Sequence, residues 1–166
     1  MSARVKHVQR AQKEYTCGKC RNTIAKGDPY RWAKPGFRSK TKLVRCMTPA
    51  CTFRPSELDT SKMSDAYAAI EGAGDDLGGC ETIEDAKDVF EACAEGLRGV
   101  AGEYQEASDQ WADGQGHEEW QERADMLEEA AQTLDDWAGQ CDEDEPPLPE
   151  DVRAEANDCL MQLELP

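Results

Sequence analysis

Two cysteine pairs carry the clearest chemistry in this chain: Cys17-Gly18-Lys19-Cys20, then, 25 residues on, Cys46-Met47-Thr48-Pro49-Ala50-Cys51. Thiolates are soft ligands, and four of them at tetrahedral corners satisfy zinc. Two intervening residues let one tight turn aim both sulfurs at one ion; four require a wider turn. Gly18 is expected to ease the first turn through a positive φ, and Pro49 to stiffen the second. Cys17, Cys20, Cys46 and Cys51 are therefore read as ligands of a structural Zn2+. The competing reading is four free or disulfide-bonded thiols.

The elements that must position these sulfurs are short. Lys26-Gly27-Asp28-Pro29 and Pro35-Gly36 are turn sequences, whereas Tyr30, Trp32, Leu43 and Val44 favour strands. Two or three short strands, each cysteine pair on a loop beside them, describe a zinc ribbon or treble clef over residues 15–58. A segment this small builds too little apolar core to fold unaided, so bound metal is expected to hold it.

Cys17-Gly18-Lys19-Cys20, Ile24, Lys26-Gly27-Asp28-Pro29-Tyr30 and the Cys46–Cys51 pair together resemble small zinc-ribbon proteins encoded by bacteriophages, particularly those of high-GC actinobacterial hosts. The resemblance covers roughly the first third of the chain. It implies a structural metal, a nucleic-acid or transcription-related role without a defined activity, and the cytoplasm of the host cell as location. The Cys-x-x-Cys, Ile, Lys-Gly order is also similar to the start of PARP-type zinc fingers. Those close their site with His and Cys two residues apart, and no His lies between Cys20 and Cys46, so DNA-break sensing is not carried over.

Charge divides the chain. Residues 1–62 hold 15 Lys+Arg against 4 Asp+Glu, a net of +11; residues 63–166 hold 4 against 31, a net of −27. Such asymmetry argues for separate partners, or for contact between the halves. Residues 1–14, with Arg4, Lys6, Arg10 and Lys13, are expected to form a flexible or weakly helical basic arm, either a solvated tail or a phosphate-tracking one. Arg31, Lys34, Arg38, Lys40, Lys42, Arg45 and Arg54 interleave with Tyr30, Trp32, Phe37 and Phe53. Cations attract phosphate and aromatics stack on bases, so the basic set is read as nucleic-acid-binding. Trp32 and Phe53 are assigned instead to the small core beside the metal.

The rest of the chain, residues 59–166, reads as an acidic helical bundle. Met63, Tyr67, Ile70, Ala73 and Leu77 recur at helical spacing, and Ser61 or Ser64 can cap that helix. Thr82 with Asp85 resembles a capping box with Asp in place of Glu, followed by a heptad seam of Ile83, Ala86, Phe90, Cys93, Leu97, Val100, Tyr104, Ala107 and Trp111. After Asp113-Gly114-Gln115-Gly116, a second seam runs through Trp120, Ala124, Leu127, Ala131, Leu134, Ala138 and Cys141. Two seams across a short break make an antiparallel hairpin. An acidic, Pro-rich linker then leads to a last helix starting near Pro149. Helices are expected over about 63–77, 82–112, 117–140 and 150–163. The fold class is α+β: a small four-cysteine zinc ribbon or treble-clef-like module followed by an acidic all-α helical-hairpin bundle.

The other candidates for chemistry are bland. Cys80, Cys93, Cys141 and Cys159 are not spaced as ligands, and the last three lie on apolar seams. His7 and His117 are expected to be exposed. The Asp-Asp and Glu-Glu pairs fall on outer helix positions, which argues for a solvated face, and no phosphate loop, nucleophile elbow or dinucleotide fingerprint occurs. No enzyme is expected, and neither a signal peptide nor a membrane span, so the cytoplasm is the expected location and no membrane the expected partner. The favoured reading is a protein that binds DNA or RNA through residues 1–62 and a host or phage protein through residues 63–166. The alternative is a protein–protein adaptor, or a DNA-mimic-like inhibitor of a host DNA-binding or transcription protein.

Overall fold

Short β-favouring stretches punctuated by turn residues fill the first part of the chain, and long amphipathic stretches fill the rest. The computed structural model describes residues 4–35, 41–110, 116–140 and 148–163. It divides into two compact units, Met1–Ser64 and Asp65–Pro166.

The first unit holds five strands: β1 (Lys6–Val8), β2 (Tyr15–Thr16), β3 (Thr23–Ile24), β4 (Tyr30–Ala33) and β5 (Leu43–Cys46). β4 is the centre of an antiparallel sheet ordered β1-β4-β5, and β2 and β3 form a separate antiparallel pair. In register, Trp32 faces Lys6 on one side and Val44 on the other, and Tyr30 faces Val8 and Cys46. Directly opposed residues share a face, so these six side chains look one way. Arg31 and its partners His7 and Arg45 look the other.

The arm expected over residues 1–14 is corrected here. Lys6–Val8 is a paired edge strand, and Ala11 is buried, donating to the Asp28 carbonyl and accepting from the Gly27 N–H. Gly27 sits at φ 103°, a conformation its lack of Cβ permits. After β5 come a 3-10 turn (Pro49–Cys51), a single-turn helix α1 (Pro55–Leu58) and α2 (Met63–Leu77), where Ser61 Oγ accepts from the Met63 N–H.

The second unit is helical and takes in α2 from Asp65 onward. α3 (Ile83–Gln110) and α4 (His117–Gln140) pack along each other, and α5 (Glu150–Gln162) packs on α4. Contacts between α3 and α4 run in opposite directions along the chain: Phe90 with Trp137, Tyr104 with Arg123, Ser108 with His117. The hairpin is therefore antiparallel.

The buried face of α3 follows the expected seam from Ile83 to Tyr104 and then departs from it: Ser108 is buried and Ala107 is not. A straight helix drifts ~20° per heptad from a strict seven-residue repeat, which moves the face by one position over such a length. Ala94 and Ala101 on α3 and Ala130 and Trp137 on α4 widen the stripe beyond the seam. The expected seam residues Trp111 and Cys141 lie outside the described residues.

Thr82 and Asp85 close the capping box: Asp85 Oδ2 accepts from the Thr82 N–H at 2.9 Å, and Thr82 Oγ1 from the Asp85 N–H at 3.1 Å. Arg153 of α5 donates to the carbonyls of Gly78 and Cys80, at 3.1 and 2.5 Å, and so satisfies the end of α2. No described helix is long and apolar enough to cross a membrane.

Candidate metal centre

The first cysteine pair sits on the β2–β3 turn. The Cys17 N–H donates to the Asn22 carbonyl at 2.9 Å, and the Arg21 N–H to the Cys17 carbonyl at 3.0 Å. Closing this turn requires one left-handed residue, and that residue is Arg21, at φ 64°. The expectation for Gly18 is thereby corrected, because its φ is not positive. Gly18 is small for another reason: a Cβ there would collide with the Arg45 guanidinium. Its N–H donates to the Val44 carbonyl at 2.8 Å, which ties the turn to β5.

The second pair begins at the end of β5. The chain turns through Thr48, and Pro49 starts the 3-10 turn that brings Cys51 back, with the Cys51 N–H on the Thr48 carbonyl at 3.0 Å. Arg31 braces this turn, donating to Thr52 Oγ1 at 3.1 Å and to the Met47 carbonyl at 3.0 Å.

These two turns bring Cys17, Cys20, Cys46 and Cys51 together, with all four sulfurs within 4.8 Å of one another. Cys20 Sγ and Cys46 Sγ are 3.7 Å apart. A tetrahedron with metal–sulfur arms of about 2.3 Å has edges of about 3.8 Å. A disulfide would need ~2.05 Å, and the described cysteines are free thiols. The four sulfurs could therefore hold one metal ion.

Electrostatics favours a cation at their centre. Burial pushes the Cys17 thiol up, but N–H groups of Cys46, Cys20 and Lys19 outweigh it and bring the thiol down to about 6. The Cys46 N–H reaches Cys17 Sγ at 3.4 Å. The Thr48 hydroxyl, against burial, holds the Cys46 thiol below its ordinary value. Cys51 is the opposite: burial and the neighbouring sulfurs push it up to about 12. Cys17 and Cys46 thus favour the thiolate, whereas Cys51 holds its proton. A dication supplies the charge that permits full deprotonation.

The expected nucleic-acid-binding residues separate into different roles. Arg45 is only 6% exposed, paired with Glu57 and set over the Phe53 ring, so it works inside the unit. Sequence treats arginine as a surface cation, whereas its planar head suits a buried carboxylate pair. Arg31 is committed to the second turn, as described. Lys34 and Lys42 are exposed, Arg54 is half-buried, and Arg38 and Lys40 lie outside the described residues.

Phe53 is buried, and Trp32 is half-buried at the rim of a core made of Ala11, Cys17, Ile24, Tyr30 and Cys51. Lys42 lies over Trp32, with Lys6 against the same ring and Lys13 against Tyr15. Sequence reasoning passed over Lys6, Lys13 and Tyr15 as members of this patch. Alternation of cation and aromatic in Lys13-Glu14-Tyr15 is the signal that could have found Tyr15.

His117, expected to be exposed, is half-buried, with Nδ1 at 2.5 Å from Ser108 Oγ, and closes the end of the hairpin. Cys80 and Cys93 are buried, and burial pushes both thiols up. The chain matches no protein-family model, no curated protein and no solved structure.

Proposed function

We propose that this protein is a non-enzymatic, zinc-stapled module that binds DNA or RNA through its basic strand unit, with the helical unit serving protein contacts. The observation that carries the reading is a charge surplus beside a metal-holding cluster. Up to residue 62 there are 15 Lys+Arg and 4 Asp+Glu. Glu57 is paired with Arg45, and the four carboxylates up to residue 62 are too few to offset fifteen cations within this stretch. Phosphate is the natural counter-charge, and binding should weaken steeply as salt releases the same counterions. Zinc is the metal that four thiolates at tetrahedral spacing favour.

The helical unit offers carboxylates instead. Asp75, Asp76, Glu118, Glu119, Glu128, Glu129 and Asp136 are exposed, which supports a basic protein partner. The test is fluorescence anisotropy of the full chain, zinc-replete, with labelled oligonucleotides at low and physiological salt. Binding that weakens with salt and vanishes on chelation is expected. Absence of binding at low salt would contradict the nucleic-acid role.

A further inference from the structure

Lys6, Lys13 and Lys42 meet on one aromatic patch of the strand unit. The Lys42 ammonium lies 4.3 Å from the Trp32 ring centroid, 5.3 Å from Tyr30 and 5.4 Å from Tyr15. Lys6 stands 5.1 Å from Trp32, and Lys13 stands 5.5 Å from Tyr15. The register explains the gathering: Lys6 and Trp32 are opposed on β1 and β4, so they share a face. Tyr15 reaches the same place from β2, its ring centroid 4.9 Å from that of Tyr30.

Ring faces attract each ammonium, but they supply no net charge to offset three like charges held together. Among the described residues, none of the three lysines forms an ion pair with a carboxylate. Tyr30 is buried, while Trp32 and Tyr15 are half-buried, packed on the core and flanked by the exposed lysines. A patch that needs anions and presents flat rings is complementary to a ligand carrying both phosphate and a flat base.

We propose that Lys6, Lys13 and Lys42, with Trp32 and Tyr15, form a binding site for single-stranded nucleic acid, an inference that rests on the nucleic-acid reading above. Phosphates take the three ammonium groups. Lys42 swings from the Trp32 face to a phosphate, and a base stacks on the vacated indole. A duplex keeps its bases stacked inside and offers these rings nothing, so the site selects single strands.

The experiment uses the full, zinc-replete chain with fluorescein-labelled oligothymidylate and with a blunt duplex of equal length. The strand should bind on the order of ten-fold more tightly than the duplex. Changing Lys6→Gln, Lys13→Gln and Lys42→Gln together should weaken strand binding at least ~ten-fold and flatten the salt slope by about two, with metal content unchanged. Trp32→Leu should weaken it about ten-fold, and Trp32→Phe, which keeps a ring, should restore most of the loss. Quenching of tryptophan emission by the strand should disappear in Trp32→Phe.

If Trp32→Leu loses metal, the lysine variant and the quenching decide. Equal affinity for duplex and strand, or wild-type strand affinity in the lysine variant, overturns this site while leaving nucleic-acid binding intact. No binding to either probe overturns both.

Discussion

Among the described residues, strands β1–β5 and the segment to Phe53 bury Ala11, Ile24, Tyr30, Ala33 and Phe53 beside Cys17 and Cys51, whereas the helical hairpin buries ten positions of α3 and seven of α4. The difference teaches where each unit draws its stability. In the first, Cys17 and Cys51 of the four-sulfur cluster pack with Ala11, Ile24 and Tyr30, so the candidate metal site is part of this core. In the second, Phe90 packs against Trp137 with tilted rings and centroids 4.4 Å apart, and Leu97, Leu127 and Leu134 are fully buried without any need for an ion. One unit should depend on metal and the other on packing.

The largest effect tests that contrast outright. Structural zinc is worth about 10–16 kcal/mol in comparable small sites. Chelation at neutral pH should therefore erase the dispersed amide resonances of residues 15–51 and leave the helical circular-dichroism signal in place. Loss of both together, or of neither, would break the contrast.

The mirror experiment is Leu97→Ala. Deleting this buried side chain should cost the hairpin ~2–5 kcal/mol in urea unfolding, with metal content unchanged. Next in size is Arg45→Ala, which leaves Glu57 partly buried without its cation. Burial pushes the Glu57 carboxyl up, but the Arg54 N–H and Arg45 hold it below its ordinary value. Because Glu57 is 28% exposed, the expected loss is about 2 kcal/mol, less than for a fully buried pair, read as weaker zinc retention against a chelator.

Thr82→Ala removes half of the α3 cap and should cost the helical unit about 1 kcal/mol. Its pH dependence has a definite sign. The Thr82 hydroxyl and the Thr82 and Glu81 N–H groups hold the Asp85 carboxyl below its ordinary 3.8. A depressed folded-state value means the stabilisation is present above pH 3.8 and is lost as pH falls through the lower folded value. The gap between wild type and Thr82→Ala should narrow in that acid range, measured by thermal melts of the helical signal. The smallest effect is a gain: Arg21→Gly relieves a left-handed residue and should tighten zinc retention by about 1 kcal/mol.

Legibility in the sequence follows the same division. The cysteine pairs, the capping box and both helical seams are local patterns, and local patterns can be read directly. The helix expected over about 82–112 is Ile83–Gln110 among the described residues, and that over 117–140 is His117–Gln140. What sequence hides is long-range. Lys6–Val8 gives no sign that it pairs with Tyr30–Trp32, and Arg45 looks like any surface cation until Glu57 and Phe53 close on it. Trp137 lies off the strict heptad, and only the width of the packed stripe brings it onto Phe90. Sequence reads Gly18 as easing a turn through a positive φ, whereas what crowds it is Arg45, a residue far along the chain.

X-ray absorption at the zinc K-edge of the purified full chain tests the central claim most directly. Four sulfur scatterers at about 2.3 Å around a single zinc are expected, reduced in number when Cys20→Ser is introduced. A first shell containing oxygen or nitrogen in the wild-type protein, or no stoichiometric metal, would contradict a unit built on Cys17, Cys20, Cys46 and Cys51.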